Sequence, residues 1–246
     1  MSGGSALGRR KQHVGRFGQR DDLPLDSYKP IGMKLRMSRP TKHAPERGDA
    51  RTRLLEAARD VIRAKGFAAT SIDDLCRMAA VTKGAFFHNF ASKEALGVAA
   101  AEYWARTTSD FFAAAPYHLP ADPLERVLAY VAFRKAIITE DLAQSCCLVG
   151  AMVQEVYLSS PGIRDACGAS IFGHAATLVA DIEEARVARG VSGGWTAESL
   201  ARHTQAVIQG GFVLAKAGGA PDLARESLDH LEQYIRLLFA CPEDVA

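Results

Sequence analysis

The stretch Thr70-Ser71-Ile72-Asp73-Asp74-Leu75-Cys76-Arg77-Met78-Ala79-Ala80-Val81-Thr82-Lys83-Gly84-Ala85-Phe86-Phe87-His88-Asn89-Phe90-Ala91-Ser92-Lys93-Glu94 carries more structural information than any other part of this chain. It reads as two short helices joined by a tight turn, with a third helix starting behind them. Thr70 or Ser71 caps the first helix, and Asp73 and Asp74 stand in its first turn, where the helix dipole favours negative charge. Ile72, Leu75, Cys76 and Ala79 recur on one face at helical spacing. The chain turns through Ala80 and Val81, and Thr82 is an N-cap for the second helix. On that helix Lys83, Ala85, Phe87 and His88 are expected to face solvent, while Phe86 and Phe90 point inward.

Two helices in this arrangement resemble a helix-turn-helix, whose second helix enters the DNA major groove. The run from Val81 to Leu96 is similar to the recognition-helix signature of TetR-type transcriptional regulators. Upstream, Leu54, Leu55, Ala58, Val61 and Ile62 form an apolar stripe that closes at Lys65-Gly66-Phe67, as the first helix of that family does. Gly66 is the helix stop, and Phe67 is expected to plug a small three-helix core. The resemblance implies an all-α fold with a three-helix DNA-binding module at residues 49–95. A larger helical domain for ligand sensing and dimerisation follows at 96–246. Two departures stand out. Ala80 occupies a turn position where the family usually has glycine, and Phe87 lacks the hydroxyl that the family often aims at a phosphate. His88 or Asn89 is next in line for that contact.

DNA recognition needs positioning contacts and base contacts, and these come from different residue types. Ser71 and Lys93 sit at helix N-termini, where backbone N–H groups with a hydroxyl or an ammonium can hold a phosphate. Thr82, Lys83, Ala85 and His88 lie on the exposed side of the recognition helix. Lys83 can donate to guanine, and Ala85 or Phe87 can touch a thymine methyl. Gly84 leaves room for the DNA backbone. One short helix reads too few base pairs for specificity, so a homodimer on an inverted repeat of double-stranded DNA is expected.

The chain has 246 residues, a net charge of +2 and 48% hydrophobic residues, enough for this module and one larger domain. The charge is uneven. Residues 1–48 hold 11 Lys and Arg against 4 Asp and Glu, whereas the remainder holds 19 against 24. That basic end reads as a disordered leader beside a DNA-binding module. Met37-Ser-Arg-Pro-Thr-Lys looks like a natural opening, so residues 1–36 read as an extension. No apolar run approaches the roughly 18 residues of a membrane span, and no signal-peptide pattern is present. A cytoplasmic protein is expected. Five cysteines without framework spacing (76, 146, 147, 167 and 241) read as reduced thiols.

Beyond Lys93 the periodicity is helical throughout. Leu96, Ala100, Tyr103, Trp104, Thr107 and Phe111 line one face of a long helix ending before Pro116. Pro123 opens another, with Leu124, Val127, Leu128, Val131 and Ile138 inward. A further helix is expected at about 144–158, and one long helix from Pro161 through Ile182. The last two helices, at 197–217 and 222–239, are joined by Gly218-Gly219-Ala220-Pro221 and must be antiparallel neighbours. Gly210-Gly211 within a helix suggests a close crossing. By the family resemblance this hairpin is the dimer interface.

Ser145-Cys146-Cys147-Leu148-Val149-Gly150-Ala151-Met152-Val153-Gln154-Glu155 is similar to a pattern in a subgroup of the family that includes repressors answering to electrophiles and oxidants. On that resemblance Cys147, expected in the first turn of its helix, is the candidate sensor thiol. It also reads as a small buried hydrophobe. The other reading of the domain is a non-covalent cavity for an apolar small molecule. Tyr103, Trp104, Phe111, Phe133, Met152, Phe172 and His174 supply walls of the right kind, and the same residues serve equally as plain core. Other classes are an architectural DNA binder without effector and a cysteine-dependent enzyme. A Cys147–His174 pair lacks a third orienting group. No Gly-rich phosphate loop, His-Glu-x-x-His or Cys-x-x-Cys occurs, so no cofactor and no metal is expected.

Overall fold

The computed structural model describes residues 49–240. The basic leader at 1–48, its suspected extension at 1–36 and Cys241 lie outside the described residues. Asp49 accepts a hydrogen bond from the Thr52 N–H at 2.7 Å and starts α1 (Ala50–Lys65), which stops at Gly66 with φ 87°. Ser71, rather than Thr70, caps α2 (Ile72–Ala79). Thr70 is buried instead, its hydroxyl donating to the Gly66 carbonyl at 2.6 Å. Thr82 caps α3 (Lys83–Asn89), and Ser92 caps α4 (Lys93–Ala113).

The α2–α3 bend is made without glycine. Ala80 has φ 52° and ψ 50°, the one positive φ outside glycine among the described residues. Its N–H donates to the Arg77 carbonyl, and the Val81 N–H to that of Cys76. A Cβ in this left-handed region costs about 1–2 kcal/mol. The cost is borne because Leu75, Cys76 and Ala79 before the bend and Phe86 after it are all buried in one core.

After α4 comes a 3₁₀ turn at Pro116–His118, then α5 (Pro123–Ala136). Along α4 the inward face differs from expectation at its end. Phe112 is buried, Phe111 is half-buried and Thr107 is exposed, its hydroxyl turned back on the Tyr103 carbonyl. The helix expected at 144–158 is two helices, α6 (Leu142–Ser145) and α7 (Leu148–Val156). They part because Asp141 caps α6 while the Ser145 hydroxyl accepts from the Thr139 N–H, closing that turn on itself. Cys147 is therefore the extended N-cap of α7, not a first-turn residue. The long helix expected from Pro161 is also divided, into α8 (Pro161–Ala176) and α9 (Val179–Ala188). The N–H groups of Thr177 and Leu178 bond three residues back, to His174 and Ala175, and so tighten and end the first segment.

The last two helices stand where the periodicity places them, α10 (Ala197–Gly218) and α11 (Asp222–Phe239). Gly211 explains half of the glycine pair, since a Cβ there would meet the Ser227 Cβ at 3.3 Å and the Ala224 Cα at 3.4 Å. Gly210 faces open space. The described residues are all-helical apart from turns and loops, and no helix among them is long and apolar enough to cross a membrane. Two apolar cores result. One joins α1–α4 with α7 and the start of α8, and the other joins α5 with α9–α11.

Replacing Ala80 by glycine should relieve the left-handed strain and raise the unfolding free energy by about 0.5–1 kcal/mol, after allowing for glycine's greater unfolded-state entropy. Urea titration measures it. A loss of stability would show that the bend carries no strain.

Candidate nucleic-acid interface and sensing core

A helix of seven residues is too short to hold its shape alone, so α3 depends on what it leans against. Phe86 is fully buried and Phe90 nearly so, with ring centroids 6.0 Å apart. Opposite them, Thr82, Lys83, Gly84, Phe87 and His88 are exposed and Ala85 is half-buried. Phe87 is 54% exposed, its ring edge-on to Phe86 at 5.2 Å. Gly84 has only the Thr82 hydroxyl near the place of a Cβ, at 3.7 Å. The Lys83 ammonium pairs with the Asp73 carboxylate at 2.9 Å, both side chains about 60% exposed. So open a pair is weak and easily exchanged for another acceptor. Asn89 is half-buried, with its amide donating to the Ala85 carbonyl at 2.8 Å. That leaves His88 the freer of the two residues proposed to replace a hydroxyl at Phe87.

Two expected phosphate contacts are assigned other work. The Ser71 hydroxyl donates to Asp74 Oδ2 and accepts from the Asp74 N–H, completing a capping box. Hydrogen bonds from Lys65 and then Ser71 hold the Asp74 carboxyl well below the usual carboxylate range. The Ser71 hydroxyl is thus occupied at its own helix start, where Asp74 also pairs with Lys65 and Arg77. Lys93 is turned inward. Its three ammonium hydrogens meet the carbonyls of Phe67, Ala68 and Thr70 at 3.1, 3.4 and 3.0 Å, and Nζ lies 4.5 Å from the centre of the Phe67 ring. It ties the α1–α2 loop to the start of α4.

Periodicity overlooked Arg51. Its guanidinium lies over the Phe90 ring at 4.5 Å and donates to the Asn89 carbonyl at 3.2 Å, beside the end of α3. A signal existed, since Arg51 and Arg53 occupy the first turn of α1, which has no acid and where the dipole disfavours cations. Glu155 was overlooked as well. From the end of α7 its carboxylate accepts from the N–H groups of Phe67 and Ala68 at 3.1 and 2.8 Å. At the C-cap of α6, one residue before the N-cap of α7, buried Arg63 of α1 donates through Nε to the Cys146 carbonyl at 2.9 Å. One helix of the larger domain is thus pinned at both ends to the DNA-binding module. Gly66 is required there twice over, by its positive φ and because a Cβ would stand 2.5 Å from Glu155 Oε1.

The residues expected to sense an effector do not form one site. Trp104, Met152 and Cys147 belong to the core shared with α1–α4, Trp104 lying under the Arg63 guanidinium at 5.2 Å. Cys147 is half-buried, and the neighbouring Cys146 and Cys167 thiols are buried, with Cys167 pushed up to about 12 by burial. Phe111, Phe133 and His174 gather instead between α4, α5 and α8, and Phe172 is 62% exposed at the surface. Against His174 lie Phe112 and Tyr130, with Tyr117 on the Tyr130 ring, none of them singled out by sequence. Burial, with Arg134 adding to it, pulls His174 down to about 3, so its ring is neutral.

Lys93→Met should lower the unfolding free energy by about 2 kcal/mol, the usual worth of hydrogen bonds from a charged donor. The slope of log affinity against log salt should match wild type. A slope shallower by about one would restore the phosphate role.

Comparison with known proteins meets this geometry in both halves of the chain. Residues 54–100 match the family of bacterial regulatory proteins named for TetR, and residues 123–231 match a tetracycline-repressor-like C-terminal domain. The transcriptional regulator AcuR of Cereibacter sphaeroides is 28% identical over 139 residues, 54% of this chain and 61% of that protein. The HTH-type transcriptional regulator UidR of Escherichia coli is 44% identical over 46 residues, 19% of this chain and 24% of that protein. The chain therefore matches less than two thirds of the length of either relative. A TetR-family regulator from Agrobacterium tumefaciens superposes with a TM-score of 0.66 at 20% identity, covering 75% of this chain and 96% of that one. The reduced form of E. coli NemR superposes with a TM-score of 0.63 at 25% identity, over 75% and 96%. With its helix-turn-helix and its C-terminal domain both matched, the chain belongs to the TetR family of DNA-binding transcriptional regulators.

Proposed function

We propose that this protein is a cytoplasmic repressor that binds a palindromic operator as a homodimer and leaves it when a small molecule or an electrophile reaches the larger domain. The observation that carries the reading is α3, capped by Thr82, anchored by Phe86 and Phe90, and presenting Lys83, Gly84, Ala85, Phe87 and His88 outward. A DNA-binding unit at 49–95 and a sensing and dimerising unit at 96–246 fit this division of labour.

Dimerisation is supported by the outer face of the α10–α11 hairpin. Val213, Leu214, Tyr234 and Leu237 are 49%, 55%, 42% and 67% exposed there, beside the open Gly210. Apolar side chains clustered on one face are costly in water and favour burial against a second copy. Release is supported by α7. Any change at its N-cap Cys147 or among the side chains packed on it bears on the Arg63 and Glu155 attachments, and so on the position of α3. Cys147 has the placement a sensor thiol needs, half-buried at a helix N-terminus, and a solved neighbour is the reduced form of NemR.

Fluorescence anisotropy on the DNA upstream of the chain's own gene tests both parts. Lys83→Ala or His88→Ala should weaken operator binding about tenfold or more while random duplex is bound as before. Equal losses on both sequences would favour an architectural DNA binder. An electrophile such as N-ethylmaleimide should release wild type, whereas Cys147→Ser stays bound. Release of the variant would overturn the thiol reading and leave the small-molecule reading.

A further inference from the structure

Among the described residues, Arg134 is a buried cation without a paired anion. It is 9% exposed on α5, and its Nη1 donates to the Tyr130 hydroxyl at 3.3 Å and lies 3.4 Å from His174 Nε2. Its remaining support is aromatic, the Phe112 ring at 5.1 Å and the Tyr130 ring at 6.0 Å. The other buried arginine among the described residues, Arg63, gives its Nε to the Cys146 carbonyl, and half-buried Arg126 and Arg189 have acids. Arg126 holds Asp181 and Glu184, and Arg189 holds Asp122. Among the described residues no carboxylate is paired with Arg134. An unpaired charge in a low-dielectric interior is costly, and a ligand that supplied the counter-charge would relieve that cost.

The donors around it converge. Gln205, 5% exposed on α10, donates through Nε2 to the Tyr130 hydroxyl oxygen at 2.8 Å, the atom that also receives Arg134. Both are obligate donors, so the tyrosine's own hydrogen goes to His174 Nε2, 2.9 Å away. A guanidinium and an amide are thus aimed at one neutral phenolic oxygen. On the other side of Gln205 lies a pocket of about 190 Å³ between α8 and α10, walled by Ile171, Phe172, Ala175 and Ala206 with Arg202 at its rim. Gln205 is the wall common to the pocket and the buried cluster.

We infer that this pocket admits a small aliphatic monocarboxylate, whose carboxylate displaces the Gln205 amide from Tyr130 and pairs with Arg134 while its hydrocarbon end lies against Ile171, Phe172 and Ala175. One buried positive charge matches one negative charge, so a phosphate dianion would leave a charge uncompensated. The volume suits an acid of a few carbons rather than a drug-sized ligand. With His174 neutral, Arg134 is the one buried cation of the site, Arg202 standing exposed at the rim. The inference gives the small-molecule branch of the proposed regulator its ligand class, and it rests on that reading only for its biological meaning.

Isothermal titration of the full chain with propionate, butyrate and isovalerate, each paired with its isosteric amide, tests it, with inorganic phosphate as control. The acids should bind at least tenfold more tightly than the amides, and phosphate should not bind. Arg134→Gln should abolish the preference. Gln205→Glu, which places a carboxylate of the chain's own against Arg134 and Tyr130, should raise the melting temperature and block the acids. That variant keeps the test open should Arg134→Gln fail to fold. Amides binding as well as acids, no binding by any acid, or acid binding that survives Gln205→Glu would each overturn the inference. Operator binding without acid, measured on the same samples, reports separately on the regulator reading.

Discussion

Everything the chain presents to DNA depends on the burial of Phe86. A seven-residue helix gains little from its own hydrogen bonds, and α3 keeps its shape because one face is sunk in a core built by α1, α2 and α4. Burying a phenylalanine is worth roughly 2–3 kcal/mol, and truncating it to alanine costs about 3–5. That single anchor, with the Thr82 cap at one end and Phe90 at the other, fixes which side chains face outward. The rest of the module can be read as support for it. Lys93 closes the α1–α2 loop, and Asp74 draws Lys65 and Ser71 together around the start of α2.

The same core does not stop at the module. Leu148, Val149 and Met152 of α7 and Ile163 of α8 are fully or almost fully buried in it. Polar bonds from Arg63 and Glu155 pin the two ends of α7 to α1 and to the loop after it. A helix held by apolar packing along its length and by charged groups at both ends moves as a unit or not at all. This gives the proposed release a physical route, since a disturbance at Cys147 or among the neighbours of α7 acts on the scaffold that orients α3. The second core, around Tyr130 and Arg134, reaches the same apparatus through α8, which packs against both α4 and α10.

Sequence alone was enough for the helices between Ala50 and Asn89 and for the last hairpin, because both are written in local signals. The cap at Thr82, the choice of Thr70 or Ser71 for the cap before it, the stop at Gly66 and the inward phenylalanines each depend on neighbours within a turn or two. The break at Cys146-Cys147 was missed because the turn at Thr139–Ser145 that causes it has no glycine or proline to mark it. The break at Thr177 was missed because apolar spacing continues across it into Leu178 and Ile182. Site residues divided in the same way. The exposed face of α3 followed from helical period. The roles of Ser71 and Lys93 did not, because a helix N-terminus looks equally ready for a phosphate or for its own protein's acids and carbonyls. Glu155 and Arg134 were invisible for a related reason. Each is one charged residue on a helix, and only a partner far along the chain, or the lack of one, gives it meaning.

Hydroxyl-radical footprinting of the full chain on the DNA upstream of its own gene examines the orientation of α3 and the pairing of two copies together. Two protected patches on one face of the duplex, centred about one helical turn apart on an inverted repeat, are expected. A single patch, or protection spread evenly without preference for any sequence, would contradict the reading of α3 as a paired recognition helix.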